Sequence, residues 1–418
     1  MVDHTNLVTA KREKSSEFYT RWEDIEAEVN AYLEYNADVF KDKVVLCPAD
    51  DPFESNFFKF FATHFNDFGL KKLISTSYDP SPIVNTQIQL SLFDDENNDK
   101  KSITRTSRAY KIELSDVSDF DHNGRVNIND VEDILISERR KIRNGKRSKI
   151  LSFLDVDPDN GYSAGDFRSS QVTQLRDESD MIITNPPFYL FRSFIKWANP
   201  AKRNVLLLGN LNAISYKEVF PLIEANNLWL GATNFNKGMY FYVPDDFEYK
   251  KSYHFEREMN GNKVSRVPGV CWFTNIDHGR RHEPLRLMTE KDNIKYSKHK
   301  NVRNHKYRKY DNYDAIEVPF TDAIPNDYDG LMGVPVTFLD KYNPSQFEIK
   351  GITQSWYGAA SKIYPKQIQV NASGQEKEVT KLNDGPAIKI DKPLDKTYYK
   401  VSHNLYEKIY SRILIKKK

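Results

Sequence analysis

The stretch Asp180-Met181-Ile182-Ile183-Thr184-Asn185-Pro186-Pro187-Phe188 carries the residues with the clearest chemical purpose in this chain. Met181 to Thr184 reads as a short buried strand that ends in a corner fixed by two prolines. Each proline locks φ and removes a backbone donor, so the corner has little of its own to compete for its carbonyls. What remains is the Asn185 amide oxygen, the Pro186 carbonyl and the Phe188 ring. Two acceptors beside an aromatic face suit a planar ring that bears an amine. The acceptors take the two amine hydrogens, and the ring stacks on the phenyl group. The nitrogen lone pair is then less delocalised and can attack an electrophile, with polar groups arranged in advance around the developing positive charge. Asn-Pro is also a common turn starter, so a plain strand-to-turn reading stands beside the functional one.

Such a corner needs a sheet that brings other polar groups to the same end. Lys43 to Pro48 is a second buried strand, running into the polar turn Ala49–Asn56, which is placed to cap a helix over Phe57–Asn66. Leu70 to Tyr78 is a further strand. Strand, helix, strand at this spacing predicts a parallel α/β sheet, in which ligands sit at the carboxyl ends of the strands. Asp50, Asp51, Ser75, Ser77 and Asn185 are therefore expected along one edge. Trp22, Ile25, Val29 and Leu33 repeat at helical spacing. Helices are expected over Leu190–Trp197 and Tyr216–Asn226, and strands over Asn204–Asn210, Leu228–Thr233, Met239–Val243 and Val270–Ile276. The total is about seven strands, the last ones antiparallel because no long helix separates them.

Residues 80–150 interrupt this pattern as an insertion. Gln87–Phe93 and Arg108–Leu114 alternate like strands, and a helix is expected over Val131–Arg143. Between them, Asp119 to Asp130 has the spacing of a calcium loop: Asp119, Asp121 and Asn123 in positions 1, 3 and 5, Gly124 at 6, Arg125 at 7 and Asp130 at 12. Asp130 is shorter than the usual closing Glu, and the segment before the loop is extended. A structural calcium and an Asn-Gly surface turn are the two readings. Asp166, in Gly165-Asp166-Phe167-Arg168, is either a contact to a bound ligand or a helix N-cap.

The 418 residues allow two or three domains, with 39% apolar and 29% charged residues and a formal net charge of +2. A near-zero charge does not announce a nucleic-acid binder, so any basic face must be local. Such a face is offered by 278–309, where Arg280, Arg286, Lys295, Arg303, Lys306 and Lys309 interleave with Tyr296, Tyr307 and Tyr310. Cations with aromatics suit phosphates and exposed bases, although a charge run also forms an ordinary solvated face. Residues 366–385 read as a polar hairpin, and Tyr410–Ile415 as a strand. No apolar run approaches about 18 residues, so no membrane span is expected. Met1–Glu17 is polar, so no secretory signal is expected, and residues 1–14 are read as a mobile tail. Cys47 and Cys271 are the only cysteines, which excludes a disulfide framework and a cysteine zinc cluster and favours a reducing cytoplasm.

Taken together, several stretches resemble the EcoRI-type adenine-specific DNA methyltransferases. They are Ser16-Glu17-Phe18-Tyr19-Thr20, Cys47-Pro48-Ala49-Asp50-Asp51-Pro52 with Ser55-Asn56-Phe57-Phe58-Lys59, Gly165-Asp166-Phe167-Arg168 and Ile183-Thr184-Asn185-Pro186-Pro187-Phe188. Tyr216 to Ile223, Cys271 to Asn275 and Tyr328-Asp329-Gly330 with Gly333-Val334-Pro335 extend the likeness over most of 14–350 and the last few residues. Asn-Pro-Pro-Phe alone also occurs in methyltransferases of RNA and of protein glutamine.

The resemblance implies a Rossmann-like methyltransferase core over 15–280, with a mostly parallel seven-stranded sheet and the 80–150 insertion, followed by a target-recognition and DNA-binding region over 281–418. It implies S-adenosylmethionine as donor and the exocyclic amine (N6) of a flipped adenine in double-stranded DNA as acceptor. It puts Phe18, Tyr19 and Thr20 beside the donor's methionine, and Pro48, Ala49, Asp50 and Asp51 at the end of the first strand with Ser75 next to them. Asp166 and Phe167 fall near the donor's adenine moiety, and Asn185, Pro186, Pro187 and Phe188 on the target base. The glycine-rich Asp-Pro-x-x-Gly-x-Gly loop of many methyltransferases is absent, and Pro48–Asn56 stands in its place, as in this family. No Pro-Cys dipeptide is present, which argues against cytosine carbon methylation with its cysteine nucleophile. The resemblance also brings in a matching restriction endonuclease as a functional partner and a bacterial or phage-infected cell as the setting. An RNA or protein-glutamine acceptor, or a DNA-binding or calcium-tethered module without turnover, are the competing readings.

Overall fold

Short runs of β-branched and aliphatic residues build the central sheet of the computed structural model, which describes residues 19–48, 50–78, 109–120, 122–233, 235, 238–243, 255–258, 261 and 263–418. The chain divides into two compact units: residues up to Leu211 with Gly231–Asp277, and Asn212–Leu230 with His278–Lys418. The assignment of 212–230 to the second unit has no signal in the sequence.

In the first unit the strands are β1 (Val44–Cys47), β2 (Lys72–Thr76), β3 (Tyr110–Leu114), β4 (Leu151–Phe153), β5 (Met181–Thr184), β6 (Asn204–Asn210) and β7 (Val270–Thr274). They stand in the order β4-β3-β2-β1-β5-β6-β7, within a sheet of eight strands. The pairs β1/β2, β1/β5 and β5/β6 are parallel, while β2/β3, β3/β4 and β6/β7 are antiparallel. This corrects the expectation of a mostly parallel seven-stranded sheet. The parallel part is confined to the centre, and β3 from the insertion, with β4 directly after it, extends one side in antiparallel pairing. Met239–Tyr242 also leaves the main sheet. It joins Tyr19–Thr20, Lys263–Val267 and Phe255–Arg257 in a separate four-stranded antiparallel sheet.

The helices are α1 (Trp22–Tyr35), α2 (Asn56–Thr63), α3 (Ile128–Arg143), α4 (Ser170–Asp177) and α5 (Phe191–Ala198). The central strands are buried on both faces, which is why they read as continuous apolar runs. On one face Val45, Leu73, Met181, Ile183, Leu206 and Trp272 meet Ile25, Val29 and Tyr32 of α1 and the four phenylalanines of α2. Phe57 meets Trp272 edge-on with ring centroids 5.9 Å apart. Each such buried ring contributes about 1.5–3 kcal/mol, so α2 is held firmly against β1, and the turn between them is fixed at both ends. Gly209 in β6 allows Phe191 of α5 and Phe273 of β7 to close over it, since a Cβ there would lie 2.7 Å from the Phe191 ring.

The helix expected over Tyr216–Asn226 forms only at Phe220–Glu224, because Pro221 has no N–H for the helical ladder and is tolerated only in the first turn. The strand expected over Leu228–Thr233 contracts to Trp229–Leu230. Gln87–Phe93 and the tail 1–14 lie outside the described residues. In the second unit, a four-stranded sheet runs Ile316–Glu317, Met332–Pro335, Arg412–Lys417, Phe347–Ile352, so the last strand of the chain is internal. A five-stranded sheet runs Glu376–Val379, Gln367–Val370, Tyr398–Val401, Asn404–Lys408, Ala387–Ile390, and its first two strands are the hairpin read from 366–385. Among the described residues, no helix is long and apolar enough to cross a membrane.

Candidate active site

The parallel centre sets the geometry of the site. Val45 pairs with Met181 and Cys47 with Ser75, so the carboxyl ends of β5, β1 and β2 are neighbours, about 4.8 Å apart per strand. Asn185 follows β5, Asp50 lies just past β1, and Ser75 is the next-to-last residue of β2. Hydrogen bonds tie these ends together. Thr184 Oγ1 donates to the Pro48 carbonyl at 3.1 Å, and the Ser75 hydroxyl donates to the Asp50 carbonyl. Ser55, the N-cap of α2, donates from Oγ to Asp50 Oδ1 at 3.1 Å. Asn56 Nδ2 donates to the Thr20 carbonyl at 2.7 Å, bringing the Tyr19–Thr20 strand to the same place. Tyr19 pairs with Tyr242 and Thr20 with Phe241.

Asp50 is buried, and burial pushes its pKa up to about 7, with the nearby Asp51 charge acting in the same sense and the Thr184 and Ser55 hydroxyls opposing. Burial likewise raises Asp51, whose Oδ1 accepts Tyr110 Oη at 2.7 Å and the Phe53 N–H at 3.0 Å. Asp50 Oδ2, Asp51 Oδ2 and Thr20 Oγ1 are buried with no hydrogen-bond partner among the described residues. Two neighbouring carboxylates, Asp50 buried and Asp51 half-buried, each with a buried oxygen left over, form a site that wants donors or positive charge.

At the proline corner, Pro186 is buried while Asn185, Pro187 and Phe188 are half-buried. The Pro187 carbonyl accepts the Leu190 N–H at 2.9 Å, which starts one tight turn before α5. Phe188 packs its inner side on the core. Asp166 comes close through Gly165, which has φ +75° and sits so near the Ser77 carbonyl that a Cβ would lie 1.9 Å from its oxygen. The Asp166 loop is thus pressed onto the end of β2. Asp166 is not a helix N-cap: Ser169 caps α4, and Asp166 instead binds Arg168 through Nε at 2.9 Å and Nη2 at 2.6 Å. Phe167 turns inward against Phe194 and Trp197, with centroids 5.1 and 5.4 Å away, so its ring belongs to the core. Phe18 and Ala49 lie outside the described residues. The sequence reading gave Thr184, Tyr110 and Gly165 no role of their own at the site. Their partners are distant in the chain, and only the sheet register brings them together.

The calcium loop is organised around a helix start. Asp119 accepts the N–H groups of Asn123 and Gly124. Asp130, fully buried, accepts the Phe120 N–H at Oδ1 and the Asn127 N–H at Oδ2, both at 2.8 Å, completing a capping box on α3. Arg125 is exposed, and Asp121 lies outside the described residues. Among the described residues, no cluster of three or more His, Cys, Asp or Glu side chains is arranged to hold a metal. The residue expected to close a calcium shell is engaged as a cap, so the calcium reading finds no support.

A sequence profile for the family described as "Adenine-specific methyltransferase EcoRI" matches residues 6–418. The chain belongs to this family. It is 38% identical over 344 residues to the Type II methyltransferase M.EcoRI of Escherichia coli, covering 82% of this chain and 87% of that protein. It is 33% identical over 342 residues to the Type II methyltransferase M.MpnI of Mycoplasma pneumoniae, covering 81% of this chain and 83% of that one. The corresponding figures for M.MgeORF184P of Mycoplasma genitalium are 33% over 343 residues, 81% and 84%. No solved structure matches. The chain is a site-specific, adenine-specific DNA methyltransferase, and membership of the family implies S-adenosylmethionine as methyl donor. The residues at the strand ends fit that donor: its ammonium, its sulfonium charge and its ribose hydroxyls match the left-over oxygens of Asp50 and Asp51 and the Thr20 hydroxyl.

Proposed function

We propose that the carboxyl edge of β5, β1 and β2 is the active site, transferring a methyl group to the N6 amine of an adenine flipped out of duplex DNA. The observation that carries this is the adjacency of the Asn185 corner to the buried Asp50 carboxylate at the ends of neighbouring parallel strands. Asp50, Asp51, Ser75 and the Tyr19–Thr20 strand hold the donor, together with the Pro48–Ala49 turn. Asp166 acts through the backbone of its loop, since Arg168 occupies its carboxylate. When bound, the donor supplies a methyl group made electrophilic by a sulfonium.

A base inside a duplex cannot reach this edge, so the target must leave the stack. The exposed side of Phe188 takes the face of the flipped base. The Asn185 amide oxygen and the Pro186 carbonyl accept the two amine hydrogens and aim the nitrogen lone pair. Their contribution is orientation and electrostatic fit, and no side-chain nucleophile is needed. The second unit holds the DNA through the cations and aromatics of its 281–418 segment. The enzyme works in the cytoplasm of a bacterium or phage-infected cell, with a matching restriction endonuclease as its functional counterpart.

The test is methylation-sensitive sequencing of genomic DNA from cells expressing the chain or its Asn185→Ala variant. Methylated adenine at one short motif, absent with Asn185→Ala at equal protein level and equal melting temperature, is the expected result. The drop is about 10²–10³-fold or more, as for loss of an oxyanion-hole donor. Retained methylation in the variant would sink the assignment of the corner.

A further inference from the structure

In the second unit, one large aliphatic side chain is held out in water by an anchored frame. Ile363 is 74% exposed, while the next residue, Tyr364, is 1% exposed. The backbone on both sides is pinned. Ser361 N–H donates to the Asn312 carbonyl at 2.9 Å, and Tyr364 N–H donates to Asn383 Oδ1 at 3.0 Å. The Tyr364 carbonyl accepts Asn383 Nδ2 at 3.1 Å and Gln367 Nε2 at 3.0 Å. Side chains add to the frame, since Lys362 Nζ and Tyr364 Oη both donate to Asp311 Oδ2 at 2.6 Å. A single exposed isoleucine on a loose loop would be unremarkable. Here the segment is already ordered, so little further entropy is lost when the tip is buried against a partner.

The surroundings indicate the partner. Asp311, the anchor, directly continues the segment 303–310. In that segment Arg303, Lys306 and Lys309 are exposed and their side chains have no hydrogen-bond or ion-pair partner among the described residues; Arg308 pairs with Glu407. Lys366, just past the tip, is likewise exposed and unpaired among the described residues. Unneutralised cations on the segment that leads into Asp311, and on Lys366 just past the tip, suit a polyanion with an apolar interior.

We propose that this element is a DNA contact in which Arg303, Lys306, Lys309 and Lys366 neutralise phosphates and Ile363 is an apolar wedge pressed between base pairs. Aliphatic side chains used in this way unstack a step and bend the duplex. The proposal rests on the reading of the second unit as the DNA-holding part and names the residues that do it. Ile363 is a positioning residue, acting on the shape of the duplex.

The experiment uses the full-length enzyme and a labelled duplex carrying the motif found by methylation mapping. Three variants are compared: Ile363→Ala, Ile363→Met, and the triple Arg303→Gln, Lys306→Gln, Lys309→Gln. For Ile363→Ala, we expect binding about tenfold weaker, a smaller bend by end-to-end energy transfer, and an unchanged salt slope. Ile363→Met restores bend and affinity. The triple variant lowers the salt slope by about three phosphate contacts. A parent-like bend in Ile363→Ala together with a lowered slope in the triple overturns the wedge while leaving the DNA-holding reading intact. An unchanged slope in the triple overturns the proposal and, for this surface, that reading too. Loss of affinity on replacing thymine by uracil in the motif, equal to that of Ile363→Ala, would reassign Ile363 to a methyl contact and also overturn the wedge.

Discussion

Asp50 offers the sharpest test of the donor site. Its carboxyl is buried beside Asp51 and near the Cys47 thiol, with the Thr184 and Ser55 hydroxyls opposing, and burial pushes its pKa up to about 7. The sign follows from this shift. The folded enzyme holds the proton to a higher pH than the unfolded chain, so Asp50 lowers folding stability as pH rises from the ordinary carboxylate range through about 7. Donor binding runs the other way. A cationic donor selects the ionised carboxylate, so below pH 7 part of the binding energy goes into removing the proton. With the ionised form required, the dissociation constant rises by about tenfold between about pH 8 and pH 6, equivalent to about 1.4 kcal/mol. Calorimetric titration with the donor, or with an unreactive analogue carrying the same ammonium, measures this directly. Titration of the ligand's own ammonium is removed by running Asp50→Asn in parallel. That variant is expected to bind more weakly at about pH 8 and to lack the extra slope below 7. If the parent and Asp50→Asn have the same pH dependence, Asp50 does not face the donor, and the donor site must be sought elsewhere on the edge.

Two further outcomes concern the scaffold. Gly165→Ala puts a methyl group 1.9 Å from the Ser77 carbonyl oxygen at φ +75°, so the loop must lift off the end of β2; a loss of about 3 kcal/mol in denaturant unfolding is expected, with a weaker donor affinity in whatever remains folded. Asp130→Ala removes the acceptor for both Phe120 and Asn127 and is expected to cost about 1–2 kcal/mol in thermal unfolding, equally with calcium or with a chelator present. A melting temperature of the parent that climbs with calcium, and does not in Asp130→Ala, would revive the metal reading.

How far the sequence reached depends on the range of the interactions involved. The strands β1, β2, β5 and β6 were legible because burial on both faces leaves a continuous apolar run, and the parallel order of β1 and β2 because a helix between two strands permits little else. The corner was legible because two prolines act on their own backbone. The antiparallel pairing of β7 was legible from the lack of a long helix before it, but that of β3 with β2 was not, because it is decided by the return of a long insertion and not by any local residue. The same limit explains Met239–Tyr242, an alternating strand whose partner could not be read from its own pattern. Asp166 and Phe167 show the limit within a single motif. Neighbours in sequence, they were expected to share a ligand. Yet one carboxylate is held by Arg168 two residues on, and the ring beside it points into the core toward α5. The turn itself depends on Gly165, where the Ser77 carbonyl, far away in the chain just past β2, leaves no room for a Cβ. A short motif therefore fixes which groups come near a site, and the long-range packing around it decides which of their atoms face the ligand.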